Sequence, residues 1–246
     1  MNRVLIFCLA FGIACSQPSP TSQTPKAEVG LDSLEAAPLL PTDTLNVGFL
    51  VMEGTYNTEL TAPMDIFQHT IFHAQAGMRV FTIAATTDPI HTFEGLEITP
   101  DYSYSEAHPV IDILVVPSAE HHLDTDLKNE EMIQFVRETS EEAQYVMSLC
   151  DGAFVLAKAG LLDGHVSTTF PGDIGAYRKR FPQLDVREDL LFVHHGKFIT
   201  SAGGAKSFEP ALYLSEYLYG KKAADGIARG MVIDWKVHEV PHLVVE

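Results

Sequence analysis

The sequence has little positive charge and no apolar run long enough to cross a membrane. Its 246 residues include 16 Lys and Arg against 33 Asp and Glu, so the formal net charge is −17. A surface this acidic repels phosphate backbones and anionic lipid headgroups, and we therefore expect no nucleic-acid partner. The apolar stretch at residues 4–14 is about half of the roughly twenty residues that a spanning helix needs. The sequence also lacks a phosphate loop and a dinucleotide-binding fingerprint.

The amino-terminal segment is typical of an export signal. Arg3 precedes the apolar stretch, which predicts a signal peptide over residues 1–14. The run Gly12-Ile-Ala-Cys15 resembles a bacterial lipobox, with Gly12 at a position where Leu is usual. We therefore expect Cys15 to be the lipidated first residue of an exported lipoprotein that faces the periplasm or exterior. A soluble secreted form is the alternative.

Cysteine is scarce, and its distribution limits the covalent chemistry. With Cys8 removed and Cys15 acylated, Cys150 would be the only thiol in the mature chain. That leaves no intrachain disulfide and no multi-cysteine zinc site. Residues 15–44 are rich in Pro, Ser and Thr, which predicts a disordered tether before a folded domain over residues 45–246.

The folded part alternates short, continuously apolar runs with amphipathic ones. This pattern predicts an α/β fold: a doubly wound three-layer sandwich with a mostly parallel sheet, in which ligands bind at the carboxyl ends of the strands. The polar segment 235–242 is interpreted as a tail that can pack on a neighbouring subunit. The predicted strands cover residues 47–52, 78–85, 111–117, 145–149, 191–193 and 198–201, and the predicted helices cover 60–74, 127–143, 153–159, 207–219 and 223–232.

Cys150 follows the fourth predicted strand and directly precedes a predicted helix. A nucleophile on such a sharp turn stands at the edge of the sheet, and Gly152 lets the helix leave without a Cβ clash. The start of the helix favours a thiolate, which predicts a lowered pKa for Cys150. The alternative is a small buried hydrophobic residue.

Four segments carry a family resemblance over residues 45–233. The run from Cys150 to Gly164 resembles the nucleophile elbow of the ThiJ/PfpI superfamily, which has the flavodoxin-like, class I glutamine amidotransferase-like fold. It is most similar to the branch of isonitrile hydratases and of the amino-terminal domains of AraC-type regulators. The three supporting segments, in chain order, are Glu59–Phe67, Asp112–Pro117 and Ile199–Gly203.

The resemblance implies a cysteine-dependent hydratase or hydrolase, isonitrile hydratase-like or glyoxalase-like, that acts on a small molecule without a cofactor or metal. Cys150 matches the nucleophile, and Glu59 matches the acidic residue that bonds the thiol and shuttles its proton. A raised pKa at Glu59 would suit that role. Backbone N–H groups after Cys150 and at Ser118 and Ala119 would support developing charge. The resemblance also implies that a homodimer can form.

The chain departs from the family pattern at three places. Asp151 stands where hydratases have Thr and other members have His, so it is either a catalytic group or an ordinary helix cap. Ser118 and Ala119 stand where many members have Gly-Gly. Thr169 occupies the pocket-wall position where many members have His. These changes keep a second interpretation open, namely a non-catalytic exported domain that binds a ligand or senses oxidants.

Two histidines follow the third predicted strand at the same edge of the sheet. His121 or His122 could act as a base for Cys150, or could bind a metal together with nearby carboxylates. The simplest alternative is a polar loop in which Asp124 or Asp126 caps the next helix. The sequence leaves these three possibilities open.

Overall fold

The computed structural model describes residues 39–245. The predicted signal peptide, the lipidation site Cys15 and most of the predicted tether lie outside the described residues, and they stay predictions. The first strand begins at Leu45. Within residues 39–245, no helix combines the length and apolarity that a membrane span requires.

Twelve strands and six α-helices make up the described part of the chain. The helices are α1 (Asn57–His69), α2 (Glu130–Glu142), α3 (Gly152–Lys158), α4 (Ile174–Arg180), α5 (Phe208–Tyr219) and α6 (Lys221–Gly230). The strands are β1 (Leu45–Leu50), β2 (Met78–Ala84), β3 (Ile90–His91), β4 (Glu97–Ile98), β5 (Tyr102–Ser103), β6 (Ile113–Val116), β7 (Tyr145–Leu149), β8 (Val166–Ser167), β9 (Asp185–Val186), β10 (Phe192–His195), β11 (Phe198–Ser201) and β12 (His242–Val245).

Eight strands form one central sheet in the order β12-β10-β11-β7-β6-β1-β2-β5. All neighbouring pairs are parallel except β10 and β11, which are antiparallel. The chain order reverses beside β1, so the sheet is doubly wound, as the sequence predicted. The carboxyl ends of β1, β6 and β7 are neighbours and place the segments that follow them side by side.

Helices cover both faces of the sheet, which confirms the predicted three layers. Side chains alternate across the central strands: Val47 and Phe49 of β1 pack with α1, α5 and α6, whereas Leu50 packs with α2 and α3. Because both faces are buried, these strands need apolar residues at every position. That requirement explains the continuous apolar runs of β1, β6 and β7.

The structure corrects the expected start of α2. The predicted helix over 127–143 is a 3₁₀ turn at Asp126–Lys128 followed by the α-helix from Glu130. Asn129 caps it, since its Oδ1 accepts the N–H of Met132 at 3.1 Å. The expected cap at Asp124 or Asp126 was therefore wrong.

The carboxyl-terminal segment packs on its own chain. Trp235 is buried, and its Nε1 donates to Glu216 Oε2 of α5 at 2.5 Å. Residues 242–245 form β12, which pairs in parallel with β10. The ring of His242 stacks on Phe192, with 4.9 Å between ring centroids. Both ends of this segment are therefore part of its own domain, and its contact with a neighbouring subunit stays a prediction.

Candidate active site

Cys150 lies on a strained turn between β7 and α3. Its φ angle of 50° is in the left-handed region, which residues with a side chain rarely adopt. Neighbouring groups hold the turn: the Cys150 N–H donates to the carbonyl of Ser201 at 3.0 Å, and Thr169 Oγ1 donates to the carbonyl of Cys150 at 2.9 Å. The thiol thus sits at the carboxyl edge of the sheet, as the sequence predicted.

Two glycines make this turn possible. A Cβ at Gly152 would lie 2.1 Å from the carbonyl oxygen of Val116, so the start of α3 can approach β6 only with glycine there. Gly203 has a φ of 70°, and a Cβ there would lie 2.5 Å from the Cβ of Cys150. The predicted role of Gly152 as a space-making residue is therefore confirmed, and Gly203 adds a second close approach.

The carboxyl group of Glu59 reaches the thiol from the first turn of α1. Glu59 is only 4% exposed, and each of its oxygens accepts a backbone hydrogen bond. Ser118 N–H donates to Oε2 at 2.9 Å and Gly204 N–H donates to Oε1 at 3.0 Å. These bonds fix the carboxyl near Cys150, close enough for each group to shift the pKa of the other.

The thiol is protonated at rest, contrary to the expectation of a lowered pKa. Burial and then the charges of Glu59 and Asp151 raise the pKa of the Cys150 thiol far above its ordinary value. The N–H of Asp151, directed at the sulfur, opposes this effect only in part. Burial also raises the pKa of Glu59, against the lowering effect of its hydrogen bonds. The Cys150 thiol is therefore neutral at rest, with the Glu59 carboxyl near it.

Asp151 does not cap α3. No side-chain capping bond is present at this position. Instead the carboxyl is 8% exposed and lies 3.5 Å from the hydroxyl of Thr169. Burial, followed by the Asp173 and Glu59 carboxyls, raises the pKa of Asp151 to about 7. The capping interpretation was wrong, and Asp151 is a titratable group of the site with Thr169 beside it.

The backbone donors at Ser118 and Ala119 already have acceptors. The Ser118 N–H binds Glu59, and the Ala119 N–H donates to His122 Nδ1 at 3.3 Å. These groups therefore position side chains and are not free to stabilise charge on a substrate, which corrects their expected role. The N–H group of Gly152 remains as a candidate for that role, because it belongs to the open start of α3.

Neither histidine of the β6–α2 loop forms a hydrogen bond with Cys150 in the described structure. His122 is fully buried, and burial lowers its pKa to about 3. Since its Nδ1 accepts the Ala119 N–H, the ring proton lies on Nε2, 3.3 Å from the sulfur of Met52. This tautomer leaves no lone pair for a metal, and residues 39–245 contain no group of three or more His, Cys, Asp and Glu placed to hold one.

His121 belongs to a different place at the same edge of the sheet. It lines a cavity of about 200 Å³ beyond the ends of β1 and β2, together with residues that include Met52 and Asp126. Cys150 and Glu59 are not part of this lining. The expectation that His121 binds in the cysteine pocket is therefore not supported by its position.

Sequence reasoning missed the aromatic wall of the site. Burial raises the pKa of Tyr56, and the charges of Cys150, Glu120, Asp151 and Glu59 add to this effect. Its ring packs against Phe93, at 4.7 Å between centroids. Tyr56 directly precedes α1, and Glu59 lies in the first turn of that helix.

Residues 46–216 match the DJ-1/PfpI family. Isonitrile hydratase from Pseudomonas putida is 28% identical over 183 residues, which cover 73% of this chain and 75% of that protein. The HTH-type transcriptional regulator GbdR from Pseudomonas aeruginosa is 22% identical over 212 residues, which cover 84% of this chain but only 56% of the regulator.

The fold agrees with these sequence matches. The crystal structure of a ThiJ/PfpI family protein from Pseudomonas syringae superposes with a TM-score of 0.68 at 19% identity. The superposition covers 87% of this chain and 84% of that protein. The sheet order, the strained cysteine turn and the family match over most of the folded part lead to one conclusion: the chain belongs to the DJ-1/PfpI family.

Proposed function

We propose that this chain is a hydratase that adds water to a small electrophile, with an isonitrile as the favoured substrate. The observation that carries the proposal is the buried Glu59 carboxyl, fixed by two backbone N–H groups near the Cys150 thiol. A buried base in contact with a nucleophile is what proton-coupled addition requires. The similarity to isonitrile hydratase supports the choice of substrate.

The geometry supports a cycle in which Glu59 moves one proton. As the sulfur of Cys150 bonds to the isonitrile carbon, the thiol proton passes to Glu59. Glu59 then gives this proton to the same carbon, which forms a thioimidate. Water adds to that carbon, the carbon–sulfur bond breaks, and the thiol regains its proton. The net reaction turns an isonitrile and one water into an N-substituted formamide, and it consumes no cofactor.

The test measures formamide production from an aliphatic isonitrile with the full-length chain. We expect turnover that Cys150→Ser abolishes and that Glu59→Gln lowers by roughly 10²–10⁴-fold, the usual contribution of a general base. The charge of Glu59 raises the pKa of the thiol. In Glu59→Gln, alkylation of Cys150 near pH 7 should therefore be faster than in the unchanged protein, while turnover should be slower. A merely structural glutamate would lower both rates.

Absence of formamide above the uncatalysed rate, in a protein whose Cys150 still alkylates, would refute the isonitrile assignment. A 2-oxoaldehyde serves as the comparison substrate, because its carbonyl carbon can accept the same sulfur. Turnover of the aldehyde alone would change the substrate and keep the roles of Cys150 and Glu59.

A second candidate function is a ligand-binding domain without turnover. The match to the regulator GbdR covers 84% of this chain, which supports this alternative. The raised pKa of Cys150 argues against a redox sensor, since a thiolate is the form that oxidants attack. Thermal stabilisation by an isonitrile that is recovered unchanged would favour the binding domain.

We also propose that the protein acts outside the cytoplasm, held by a lipid at Cys15. The support is the amino-terminal sequence, in which Arg3, an apolar stretch and the Gly12–Cys15 run follow in the order of a lipoprotein signal. A tethered enzyme of this kind would meet substrates that enter from the surroundings.

A further inference from the structure

Carboxyl groups lie on several of the segments that form the Cys150 site. Glu59 and Asp151 are the two nearest. On the rim, Glu94 Oε2 accepts the Asn57 N–H at the start of α1 at 2.9 Å. Glu120 lies in the β6–α2 loop, where its N–H donates to the carbonyl of Gly54 at 3.1 Å.

A fifth carboxyl, Asp173, completes the acidic set around the thiol. It precedes α4 and acts on Asp151. Acidic groups therefore reach the site from the starts of three helices and from two loops, and each contributes to the same negative field.

These acidic groups have no cationic partner in the described part of the chain. None of the five forms an ion pair with Lys, Arg or His there. Lys206, in the turn that follows Gly204, pairs instead with Glu209 at 2.8 Å. A cleft lined by one sign of charge concentrates its field and attracts ligands of the opposite sign. The potential at the thiol is therefore negative.

The mouth of the site also carries exposed aromatic rings. Phe93 is 53% exposed and Phe170 is 42% exposed. Phe93 is fixed by the bond from its N–H to the carbonyl of Thr55 at 3.1 Å and by its contact with the ring of Tyr56. Ring faces attract cations as well as apolar groups, because their quadrupole is negative at the face.

We infer that the Cys150 site selects electrophiles with an ammonium-bearing substituent over neutral ones, and excludes those with a carboxylate or phosphate group. The acidic set would attract the cationic substituent, and the exposed rings would hold it at the mouth while the electrophilic carbon reaches the sulfur. This inference rests on the proposed function only in assuming that the substrate meets Cys150. The inference specifies the charge of the substrate, which the proposed reaction does not determine.

The test uses three methanethiosulfonate reagents that differ in charge: trimethylammonioethyl, methyl and sulfonatoethyl. Each forms a disulfide with the thiol and releases methanesulfinate, so no turnover is needed. The rate of labelling at Cys150 in the full-length chain is followed by peptide mass spectrometry. Each rate is divided by that of the urea-unfolded chain, which removes the intrinsic reactivity of the reagents.

We expect the cationic reagent to label Cys150 at least about tenfold faster than the anionic one, within the range that electrostatic focusing gives. The ratio should fall towards one at 1 M salt, where the screening length is about 3 Å. Glu94→Gln with Glu120→Gln should lower the ratio. The matched control is Glu142→Gln, which removes an acid at the end of α2, on the amino-terminal side of β7 and away from the thiol.

A normalised ratio of one, or a preference for the anionic reagent, would overturn the inference. A thiol that reacts with none of the three reagents would also overturn it, since the site would then be closed to such ligands. A cation-selective thiol in a protein that makes no formamide would refute the isonitrile chemistry and leave the charge selectivity standing. The two proposals can therefore fail separately.

Discussion

At the scale of single residues, the site works through the balance of charge around one thiol. Cys150 is protonated because burial and two carboxyls oppose its ionisation. The proposed reaction therefore needs proton transfer to Glu59 during attack, since a standing thiolate is absent at rest. Asp151 adjusts this balance, because its own ionisation adds a negative charge beside the sulfur.

Asp151 makes stability fall as the pH rises. Its pKa is 3.8 in a free chain and about 7 in the fold, so the folded state holds a proton that the unfolded state loses in this interval. The stabilising contribution of this proton is complete below pH 3.8 and is lost as the pH rises through about 7. Between pH 5 and pH 8, we expect the unfolding free energy of Asp151→Asn to fall by about 2 kcal/mol less than that of the unchanged protein. Urea unfolding at the two pH values measures this difference.

The matched control for this measurement is Asp88→Asn, which changes a carboxyl on an exposed loop. It should keep the pH dependence of the unchanged protein. Equal pH dependence in Asp151→Asn and the unchanged protein would mean that Asp151 ionises normally in the fold, and the charge balance described here would be incorrect.

The sequence predicts the central pair of the site better than its surroundings. Cys150 and Glu59 were identified because each stands in a local motif at the edge of a strand or helix. The donors at Ser118 and Ala119 were misjudged because their acceptors, Glu59 and His122, come from the fold. Tyr56 was missed because a tyrosine before a helix has no distinctive pattern on its own.

At the scale of elements, the turn from β7 to α3 depends on a close approach of two backbones. Gly152→Ala would put a methyl group 2.1 Å from the carbonyl oxygen of Val116 in β6. Because the new methyl group is attached to one backbone segment and meets another, neither can easily move aside. We therefore expect a loss of roughly 2–4 kcal/mol in the free energy of unfolding. This corresponds to a melting temperature lower by about 5–10 °C for a domain of this size, measurable by circular dichroism.

Gly175→Ala is the control for this substitution. Gly175 lies at an exposed position of α4, and a Cβ there would meet nothing within 4 Å. Alanine favours helices over glycine by about 1 kcal/mol, so this variant should be unchanged or slightly more stable. Equal melting temperatures for the Gly152 and Gly175 variants would show that the elbow tolerates a side chain.

The elements that the sequence predicts well are those buried on both faces. The runs of β1, β6 and β7 are apolar throughout because helices cover both sides of the sheet. The hairpin of β3 and β4 has only two residues in each strand, too few for a periodic signal. Its position beside Tyr56 comes from tertiary contacts, which no local pattern reveals.

At the scale of the whole molecule, the sheet gathers distant parts of the chain at one edge. Glu59, Ser118, Cys150 and Gly203 follow or face the carboxyl ends of different strands, and the strand order places them in contact. The far edge of the sheet contributes no residue to this site. There β12 is the edge strand and pairs with β10. β12 is therefore part of the central sheet although it lies far from the thiol.

Removing residues 241–246 tests this role of β12. The deletion takes away the strand that pairs with β10 and the ring of His242 that stacks on Phe192, so we expect a loss of roughly 2–4 kcal/mol in unfolding free energy. Trp235 is the only tryptophan in the chain and is buried, so its fluorescence reports on this edge, while far-UV circular dichroism reports on the whole domain.

In the full chain the two signals should change at one denaturant concentration, because β12 belongs to the same cooperative sheet. In the truncated chain both transitions should move to lower denaturant together. Removing Glu246 alone is the control and should leave them in place. Unchanged stability after the larger deletion would instead indicate a tail that contributes nothing to its own domain, as expected of a segment that packs only on a neighbouring subunit.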